Sequence, residues 1–443
     1  MTRKVLITGL GPVSGLGDGI EAHWQAACEG RSAVRTIERF DASAMRCAYG
    51  AEASDFKVRN YVPKSYRKAT KVMARDIEFA VACADLAAKD AGLKTKGSAP
   101  DDEPTYASDR MGAHIGAGLI AADIDELTTA MVSSRKADGS FDMHAWGREG
   151  MQQLTPLWLL KYLPNMLACH VTIIHDAHGP SNTITCAQAS GLLSAGESLR
   201  VLQREDADLC FCGGAESKIN PMGMLRQEFA ELVADPKDRA ADEVVRPFDE
   251  GATGVVIGEG GAILTLEAAE TFGARGGTGA YAEVVGFAAS QTVHPATVNR
   301  TPDPRGKGAE RAISKALVEA GLTPDDIDLI VPGGSGVPAY DRAEAAAMRA
   351  VFGERLIDIP VVAIKAIAGD CFAGGGAIDL AVAAQALRSQ KVPAVVNRDK
   401  PLAGIGGNRS ASETGLRHVL VFGSSVGGQN AAIVLKRYEG PNG

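Results

Sequence analysis

The chain has 443 residues, of which 45% are hydrophobic and 23% are charged, and its formal net charge is −8. These values lie near the globular average and exclude a disordered or fibrous chain. The negative charge and the 5% of aromatic residues argue against nucleic acid as a partner, because nucleic-acid surfaces are basic and stack bases on aromatic rings.

The N-terminus leads straight into an apolar run at residues 5–8 and carries no signal-peptide core. No apolar run approaches the ~20 residues that cross a bilayer, so no membrane span is expected. The eight cysteines are scattered, and the closest pair, Cys210 and Cys212, would share one face of a strand. This pattern predicts reduced, buried thiols in a cytoplasmic protein, without disulfides, a metal site or an organic cofactor.

The first half of the chain alternates apolar runs with helical periodicity. A glycine turn after residues 5–8 lacks the G-x-G-x-x-G spacing of a dinucleotide site, because Pro12 and Ser14 interrupt it. A polar loop is expected at residues 94–109. The pattern predicts strands at 5–8, 111–118, 171–174, 183–186 and 209–213, and helices at 72–92 and after Gly191.

The second half repeats the same order of signals. It predicts strands at 260–266, 281–286, 329–331, 361–364, 417–422 and 431–435, and helices at 309–320, 342–352 and 376–387. Alternating strands and helices favour stacked α/β layers around a largely parallel sheet. The similar order of the two halves predicts an internal structural duplication.

Two stretches resemble signatures of a known family. Residues 179–191 read GPSNTITCAQASG, and residues 246–249 read RPFD, followed by GEGGA at 258–262. The first resembles the nucleophile turn, and the second another signature, of β-ketoacyl-acyl-carrier-protein synthases of the elongating (KAS II-like) type. The resemblance runs from about residue 4 to about residue 437 and includes GGQN at 427–430.

The resemblance implies an α/β, thiolase-like, five-layered α-β-α-β-α fold with two pseudo-symmetric halves. The halves would span residues 1–270, with an inserted cap or dimer region at about 119–170, and residues 271–443. It also implies a dimer formed across the strand before the nucleophile turn.

The family's chemistry requires a cysteine thiolate at a helix N-terminus, two imidazoles and an oxyanion hole of backbone N–H groups. In the register of the resemblance, Gln188 stands at the cysteine, and Gly333 and Asp370 stand at the two histidines. A carboxamide cannot carry a thioester, and a carboxylate would repel an enolate. Cys186 is expected to lie in the preceding strand, away from the helix dipole, as an ordinary buried thiol.

Other family positions imply a retained scaffold. Lys365 and Glu344 correspond to a buried ion pair that braces the site, and Ala252 and Val255 replace an arginine and a phenylalanine of the second signature. The family's oxyanion and gate loop corresponds to Ser425, Val426, Gly427 and Gly428, with Val426 in place of the gating phenylalanine. The loop is expected to be stiffer and no longer to gate a thioester.

The roles of the remaining histidines and of one group of basic residues stay open. His294 lies near the loop that lines the family's entrance, and His175 and His178 are expected to be structural, since no third metal ligand has the right spacing. Lys64, Arg67, Lys68 and Lys71 are spaced as one face of a helix. They form either a docking patch for the acidic acyl carrier protein or a solvated helix face.

The substitutions predict a non-condensing, ketosynthase-like subunit of the chain length factor type, inactive alone as a condensing enzyme. It would pair as a heterodimer with an active β-ketoacyl-ACP synthase in fatty acid or polyketide elongation. Three alternatives remain: a malonyl-ACP decarboxylase, a self-contained condensing or acyl-transfer enzyme (an atypical β-ketoacyl-ACP synthase) that uses Cys186 or another residue, and a homodimeric acyl-binding scaffold without catalysis.

Overall fold

A computed structural model describes residues 3–293 and 301–440. In it, β-branched runs form strands and alanine-rich runs form helices. His294 lies outside the described residues. The strands are β1 (Val5–Ser14), β2 (Gly17–Asp18), β3 (Arg35–Thr36), β4 (Tyr49–Ala51), β5 (Met111–Gly116), β6 (Ser181–Ile184), β7 (Leu209–Ser217), β8 (Ile257–Ala268), β9 (Ala282–Gln291), β10 (Leu329–Pro332), β11 (Lys391–Val392), β12 (Ser412–Glu413), β13 (His418–Ser424) and β14 (Gln429–Arg437).

The helices alternate with these strands, and most of them pack against a sheet face. They are α1 (Ile20–Glu29), α2 (Arg75–Asp90), α3 (Ile124–Ser133), α4 (Met143–Arg148), α5 (Met166–His175), α6 (Ser190–Gln203), α7 (Pro221–Phe229), α8 (Ala269–Ala274), α9 (Lys307–Ala320), α10 (Pro338–Phe352), α11 (Lys365–Ala368) and α12 (Gly375–Ser389). Within the described part of the chain, no helix is both long and apolar enough to cross a membrane.

Each half of the chain contributes one sheet, and the two sheets join edge to edge into a continuous one where β1 pairs with β9 at Leu6 and Ile7. The two have the same strand pattern. One runs β1-β8-β7-β5-β6, and the other runs β9-β14-β13-β10, extended by a parallel bridge between Ile330 and Val361. In each, the first two pairings are antiparallel and the next two are parallel. The predicted duplication is therefore confirmed, but the sheets are mixed rather than largely parallel.

Helices fill three layers around these two sheets. α2 packs on β1, β7 and β8, α9 packs on β9 and β14, and α6 and α12 contact each other between the sheets. α12 is buried around almost its whole circumference, as its alanine-rich sequence allows. Gly11 lets α2 lie directly on β1, since a Cβ there would be 2.0 Å from the Cys83 carbonyl oxygen. The five-layered fold with pseudo-symmetric halves is confirmed.

Three local predictions were wrong. The β-branched run at 171–174 lies in α5, because its apolar side buries against α2 and β5. Only Val361 of the strand predicted at 361–364 is paired. Lys64 and Lys71 lie in two short 3₁₀ turns, Lys64–Tyr66 and Ala69–Val72, and Arg67 and Lys68 lie between the turns, so the four basic residues do not share one helix face. The domain boundary at 270 and the insertion at 119–170 stay predictions.

Candidate functional site

Two turns of the same shape lead into the two central helices. The turn before α6 has its strained residue at Ala187, with φ of 48°, and the turn before α12 has it at Phe372, also with φ of 48°. A positive φ is unfavourable for a residue with a Cβ, and such strain clusters at functional sites. Gln188 follows the first strained residue, and Asp370 precedes the second by two positions.

The Gln188 carboxamide lies between the two halves of the chain. Its Nε2 donates to Asp370 Oδ2 at 3.4 Å, and its Oε1 accepts from the Val426 N–H at 3.4 Å. Asp370 is itself fixed, because its Oδ1 accepts from the Phe372 N–H at 2.9 Å. Residues predicted at the nucleophile, second-histidine and gate positions are therefore brought together.

Gln188 lines a small cavity, here called the inner cavity. Its volume is about 30 Å³, which admits one or two water molecules. Among the described residues, neither a histidine nor a cysteine lines it. The lining consists of Gln188, Leu192, Leu232, Val255, Gly333, Ser335, Val337, Tyr340, Glu344, Lys365, Asp370, Gly376, Asp379, Gly423, Ser424 and Val426.

Glu344 lies close to the space that a side chain at position 333 would enter. A Cβ on Gly333 would lie 2.6 Å from Glu344 Oε1, closer than real Cβ contacts allow. Glu344 Oε2 accepts from the Gly334 N–H at 2.9 Å, which fixes the carboxyl group there. An imidazole at position 333 therefore requires Glu344 to move.

Lys365 has a different ion-pair partner from the predicted one. Its Nζ lies 3.9 Å from Asp379 Oδ2 and donates to the Gly333 carbonyl oxygen at 2.6 Å, while no ion pair joins it to Glu344 in the described chain. The predicted Lys365–Glu344 pair is thus replaced, because Glu344 turns towards the Gly334 N–H.

One buried ammonium group faces several buried carboxyl groups. Burial alone would lower the pKa of Lys365, but the charges of Asp379, Asp370 and Glu344 raise it above its ordinary value. Burial raises the pKa of Glu344 to about 8 and that of Asp379 to about 7. Near neutral pH the cluster therefore holds protons on carboxyl groups as well as on Lys365.

The loop predicted as the gate is held by its own hydrogen bonds. Ser425 Oγ donates to Gln429 Oε1 at 2.8 Å, and the Ser425 N–H donates to the Gln429 carbonyl oxygen at 2.9 Å. Gly427 and Gly428 have φ of 105° and 90°, and a Cβ on Gly428 would lie 2.0 Å from the Thr292 carbonyl oxygen. The loop therefore presents the Val426 N–H to Gln188 in a defined position.

The other candidates lie away from the cavity lining. Cys186 is half-buried just beyond β6, and burial raises the pKa of its thiol. His175 bonds Thr95 Oγ1 at 2.7 Å, and burial lowers its pKa to about 4. His178 is exposed, with Nε2 3.1 Å from Asp176. No group of three His, Cys, Asp or Glu residues within 3–293 and 301–440 could hold a metal ion.

Asp379 and Tyr340 are two of the lining residues that the sequence did not identify as part of the site. Asp379 could have been recognised from the sequence, because it is the only acidic residue in the largely apolar sequence of α12. Tyr340 could not have been recognised in this way, since an aromatic residue near the start of a helix is common. Ala252 is absent from the lining, whereas Val255 contributes to it. Lys64, Arg67, Lys68 and Lys71 are all exposed.

Comparisons with known proteins cover the chain from end to end. Residues 2–271 match the family model for the N-terminal domain of beta-ketoacyl synthase, and residues 281–399 match that for its C-terminal domain. Proteins named 3-oxoacyl-[acyl-carrier-protein] synthase 2 are similar: that of Synechocystis sp. is 30% identical over 99% of both chains, and that of Coxiella burnetii is 31% identical over 98% of this chain and 99% of its own.

Two solved structures share the fold over nearly the full length. The structure titled "The ishigamide ketosynthase/chain length factor" has a TM-score of 0.80 and 27% identity, and it covers 99% of this chain and 100% of its own. A beta-ketoacyl synthase from Burkholderia phymatum has a TM-score of 0.81 and 26% identity, with the same coverage.

Proposed function

The chain belongs to the beta-ketoacyl synthase family, and we propose that within it the chain is a non-condensing subunit of the chain length factor type. It would pair with an active ketosynthase in fatty acid or polyketide elongation. The observation that supports the proposal is that the Gln188 carboxamide, which the sequence resemblance aligns with the family's nucleophile, lies between Asp370 and the Val426 N–H.

A carboxamide is a poor acyl acceptor, because its nitrogen lone pair is delocalised into the carbonyl group. Condensation by way of an acyl-enzyme needs a thiolate or a comparable nucleophile at this point. Cys186 is an unsuitable substitute, since burial raises the pKa of its thiol and so favours the unreactive protonated form. This chemistry supports a subunit that is not itself acylated.

Decarboxylation of a malonyl group also lacks its usual support at this site. The enolate that forms needs positive or hydrogen-bond-donating groups aimed at its oxygen. Gly333 offers no side chain, and Asp370 offers an acceptor that already receives the Gln188 and Phe372 N–H groups. The Lys365 ammonium also lines the cavity, but it donates to the Gly333 carbonyl oxygen. The Gln188 oxygen also accepts from the Val426 N–H, a donor that an oxyanion would otherwise use.

The names of similar proteins are compatible with this reading. The relatives named as synthases are 30% and 31% identical to this chain, and their names do not decide the role of a chain whose residues at the aligned reacting positions are Gln188, Gly333 and Asp370. A solved structure whose title names a chain length factor matches the whole chain. The exposed edge strand β6 is available for pairing with a partner subunit.

The first experiment measures acylation of the isolated chain. Purified protein is incubated with acyl- and malonyl-carrier protein, and intact mass and carbon dioxide release are recorded. We expect neither an acyl adduct nor carbon dioxide. An adduct on Cys186 would instead identify a self-contained condensing enzyme, and carbon dioxide without an adduct would identify a decarboxylase.

The second experiment tests the partner. The chain is co-expressed with ketosynthases that keep the cysteine and both histidines, and complexes are isolated through a tag on this chain. We expect a heterodimer in which only the partner's cysteine becomes acylated. A stable homodimer that binds none of these ketosynthases would favour the scaffold alternative and overturn the proposal.

The third experiment tests carrier-protein docking on the exposed basic residues. Charge reversal at Arg67 and Lys68 is expected to weaken binding of an acyl carrier protein, and the loss should shrink at high salt because screening shortens the reach of charges. Reversal of the exposed Arg311 and Lys315 on α9 is the matched control. Equal affinities of the two double variants for the acyl carrier protein would show that Arg67 and Lys68 belong to a solvated surface and not to a docking patch.

A further inference from the structure

Each of the two strained turns is contacted by the opposite half of the chain. The turn before α6 meets the loop after β13, where the Val426 N–H donates to Gln188. The turn before α12 meets the end of β7, where Glu216 Oε2 accepts from the Ala373 N–H at 2.9 Å. β7 and β13 are the third strands of their sheets, counted from the junction of β1 and β9. The two turns are therefore held by corresponding strands, but only the second is held by a carboxylate.

Glu216 has a fixed position at the end of β7. It is 1% exposed, and its Oε1 forms an ion pair with Lys218. The Lys218 ammonium group also lies 5.2 Å from the centre of the ring of Phe372, the strained residue of the turn. A Cβ on Gly118 would lie 1.8 Å from Glu216 Oε1, so glycine at position 118 makes room for the carboxylate. The turn is thus tied to Glu216 through the Ala373 N–H and, by way of Lys218, through the Phe372 ring.

The same turn carries the carboxyl group that meets Gln188. Asp370 Oδ1 accepts from the Phe372 N–H at 2.9 Å, and the next N–H along the chain is the one that Glu216 accepts. Asp370 Oδ2 accepts from Gln188 Nε2 at 3.4 Å. This distance is near the upper limit for a hydrogen bond, so a small displacement of the turn abolishes the contact.

We propose that Glu216 is a positioning residue, whose hydrogen bond with the Ala373 N–H places the second turn so that Asp370 reaches position 188. Within the described chain Glu216 makes no hydrogen bond with Gln188 or Asp370, so it acts through the turn. The reach of its side chain, and not its negative charge, carries the effect. The inference does not depend on the proposed function, since it concerns the geometry at position 188 in a catalytic and in a silent subunit alike.

The test uses a thiol at position 188 as a reporter of the Asp370 carboxylate. In full-length Gln188→Cys protein, with Cys186→Ser to remove the neighbouring thiol, the thiol pKa is obtained from the pH dependence of alkylation by iodoacetamide. A nearby carboxylate raises the pKa of a thiol, because two negative charges repel. Asp370→Asn should therefore lower the thiol pKa of the reporter by about one unit. Only differences between variants are compared, since the other titratable residues of the inner cavity are the same in all of them.

Two substitutions of Glu216 separate its reach from its charge. Glu216→Asp keeps the charge but is one methylene too short to reach the Ala373 N–H. It should lower the thiol pKa by roughly half the Asp370→Asn shift or more, and it should have no further effect when Asp370→Asn is already present. Glu216→Gln loses the charge but keeps an oxygen that accepts from the same N–H, so it should lower the thiol pKa by less than about a quarter of that shift.

Two controls separate positioning from loosening of the whole fold. Glu267 is an equally buried glutamate, in β8, and it pairs with Arg275 and not with the turn. Glu267→Asp should leave the thiol pKa at position 188 unchanged. Cys210 and Cys212 are fully buried in β7, and peptide mass spectrometry should find both of them unlabelled in each variant.

The proposal is overturned if Glu216→Gln shifts the thiol pKa as much as Glu216→Asp does, because charge and not reach would then be responsible. Equal effects of Glu216→Asp with and without the Asp370 carboxylate would overturn it as well. If Glu216→Asp exposes the buried cysteines, the Glu216→Gln variant decides alone: a thiol pKa near that of the reporter supports the positioning role, and one near that of Asp370→Asn refutes it.

Discussion

Replacing Glu344 by glutamine tests the electrostatics of the inner cavity. Glu344 is 3% exposed, and burial raises the pKa of its carboxyl group to about 8. The group is therefore mostly protonated at neutral pH, and glutamine has nearly the same shape as the protonated acid. The new amide oxygen can still accept from the Gly334 N–H, which Glu344 Oε2 accepts now at 2.9 Å.

The direction of the pH effect follows from the raised pKa. The unfolded chain releases this proton near pH 4.5, whereas the folded protein keeps it until about pH 8. Folded Glu344 thus contributes stability that is complete below pH 4.5 and is lost as the pH rises towards 8. Glutamine does not titrate, so the stability of Glu344→Gln relative to the unsubstituted protein should increase over this range.

The size of the effect is limited by the two pKa values. A difference between 4.5 and about 8, at 1.36 kcal/mol per unit, gives an upper limit of ~5 kcal/mol. Lys365 and Asp341 interact with the same carboxyl group, so part of this change is shared among their titrations. A relative gain of a few kcal/mol between pH 5 and pH 9 is expected.

Apparent thermal midpoints from pH 5 to pH 9 provide the assay, with Glu259→Gln as the matched control. Glu259 is fully buried and paired with Arg39 and Arg75, and although burial opposes ionisation, these partners lower its pKa to about 2. Its contribution is lost only as the pH falls from 4.5 towards 2. Glu259→Gln should therefore be destabilised by ~3–5 kcal/mol with little change between pH 5 and 9.

The two variants carry the same chemical change in opposite electrostatic surroundings. If the midpoint difference between Glu344→Gln and the unsubstituted protein stays constant from pH 5 to pH 9, Glu344 does not titrate there. The account of the inner cavity as a proton-holding cluster would then be refuted.

Two further predictions concern the backbone of the site. Gly333→His should destabilise the protein by ~1–3 kcal/mol in urea unfolding, because its Cβ would lie 2.6 Å from Glu344 Oε1, whereas the same change at exposed Gly279, which has no neighbour within 4 Å, should have little effect. Ala187→Gly should stabilise the protein by up to ~1 kcal/mol, because φ at this position is 48°. The control Ala189→Gly, at φ of −80°, should destabilise the protein by a similar amount. A loss of stability in Ala187→Gly would show that the turn is not strained.

Much of the fold could be predicted from periodicity and from the two sequence signatures. Strands such as β7 and β13 and helices such as α9 lie within a few residues of their predicted positions. The run at 171–174 was misread because β-branched residues also occur in buried helices. The helix across Lys64–Lys71 was misread because regular spacing of charges does not provide an apolar face to bury.

The site could be predicted in composition but not in its pairings. The sequence resemblance aligned Gln188, Asp370 and Val426 with residues of one family site, and the structure brings the three into contact. It could not show that Lys365 pairs with Asp379, because that choice depends on which way Glu344 turns. It could not show that Tyr340 and Asp379 line the inner cavity, since the lining of a cavity is a property of packing.

The residues at the three positions that the sequence resemblance aligns with reacting groups, Gln188, Gly333 and Asp370, fit one another physically. Because Gly333 has no side chain, Glu344 can approach the Gly334 N–H. Lys365 then forms its ion pair with Asp379 instead of Glu344. A carboxylate at position 370 accepts from the amide at position 188, a contact that a thiol would make only weakly. A cysteine at position 188 alone would leave Asp370 without that donor and would supply no imidazole. If the proposed function holds, we therefore expect a single Gln188→Cys replacement not to create an active synthase.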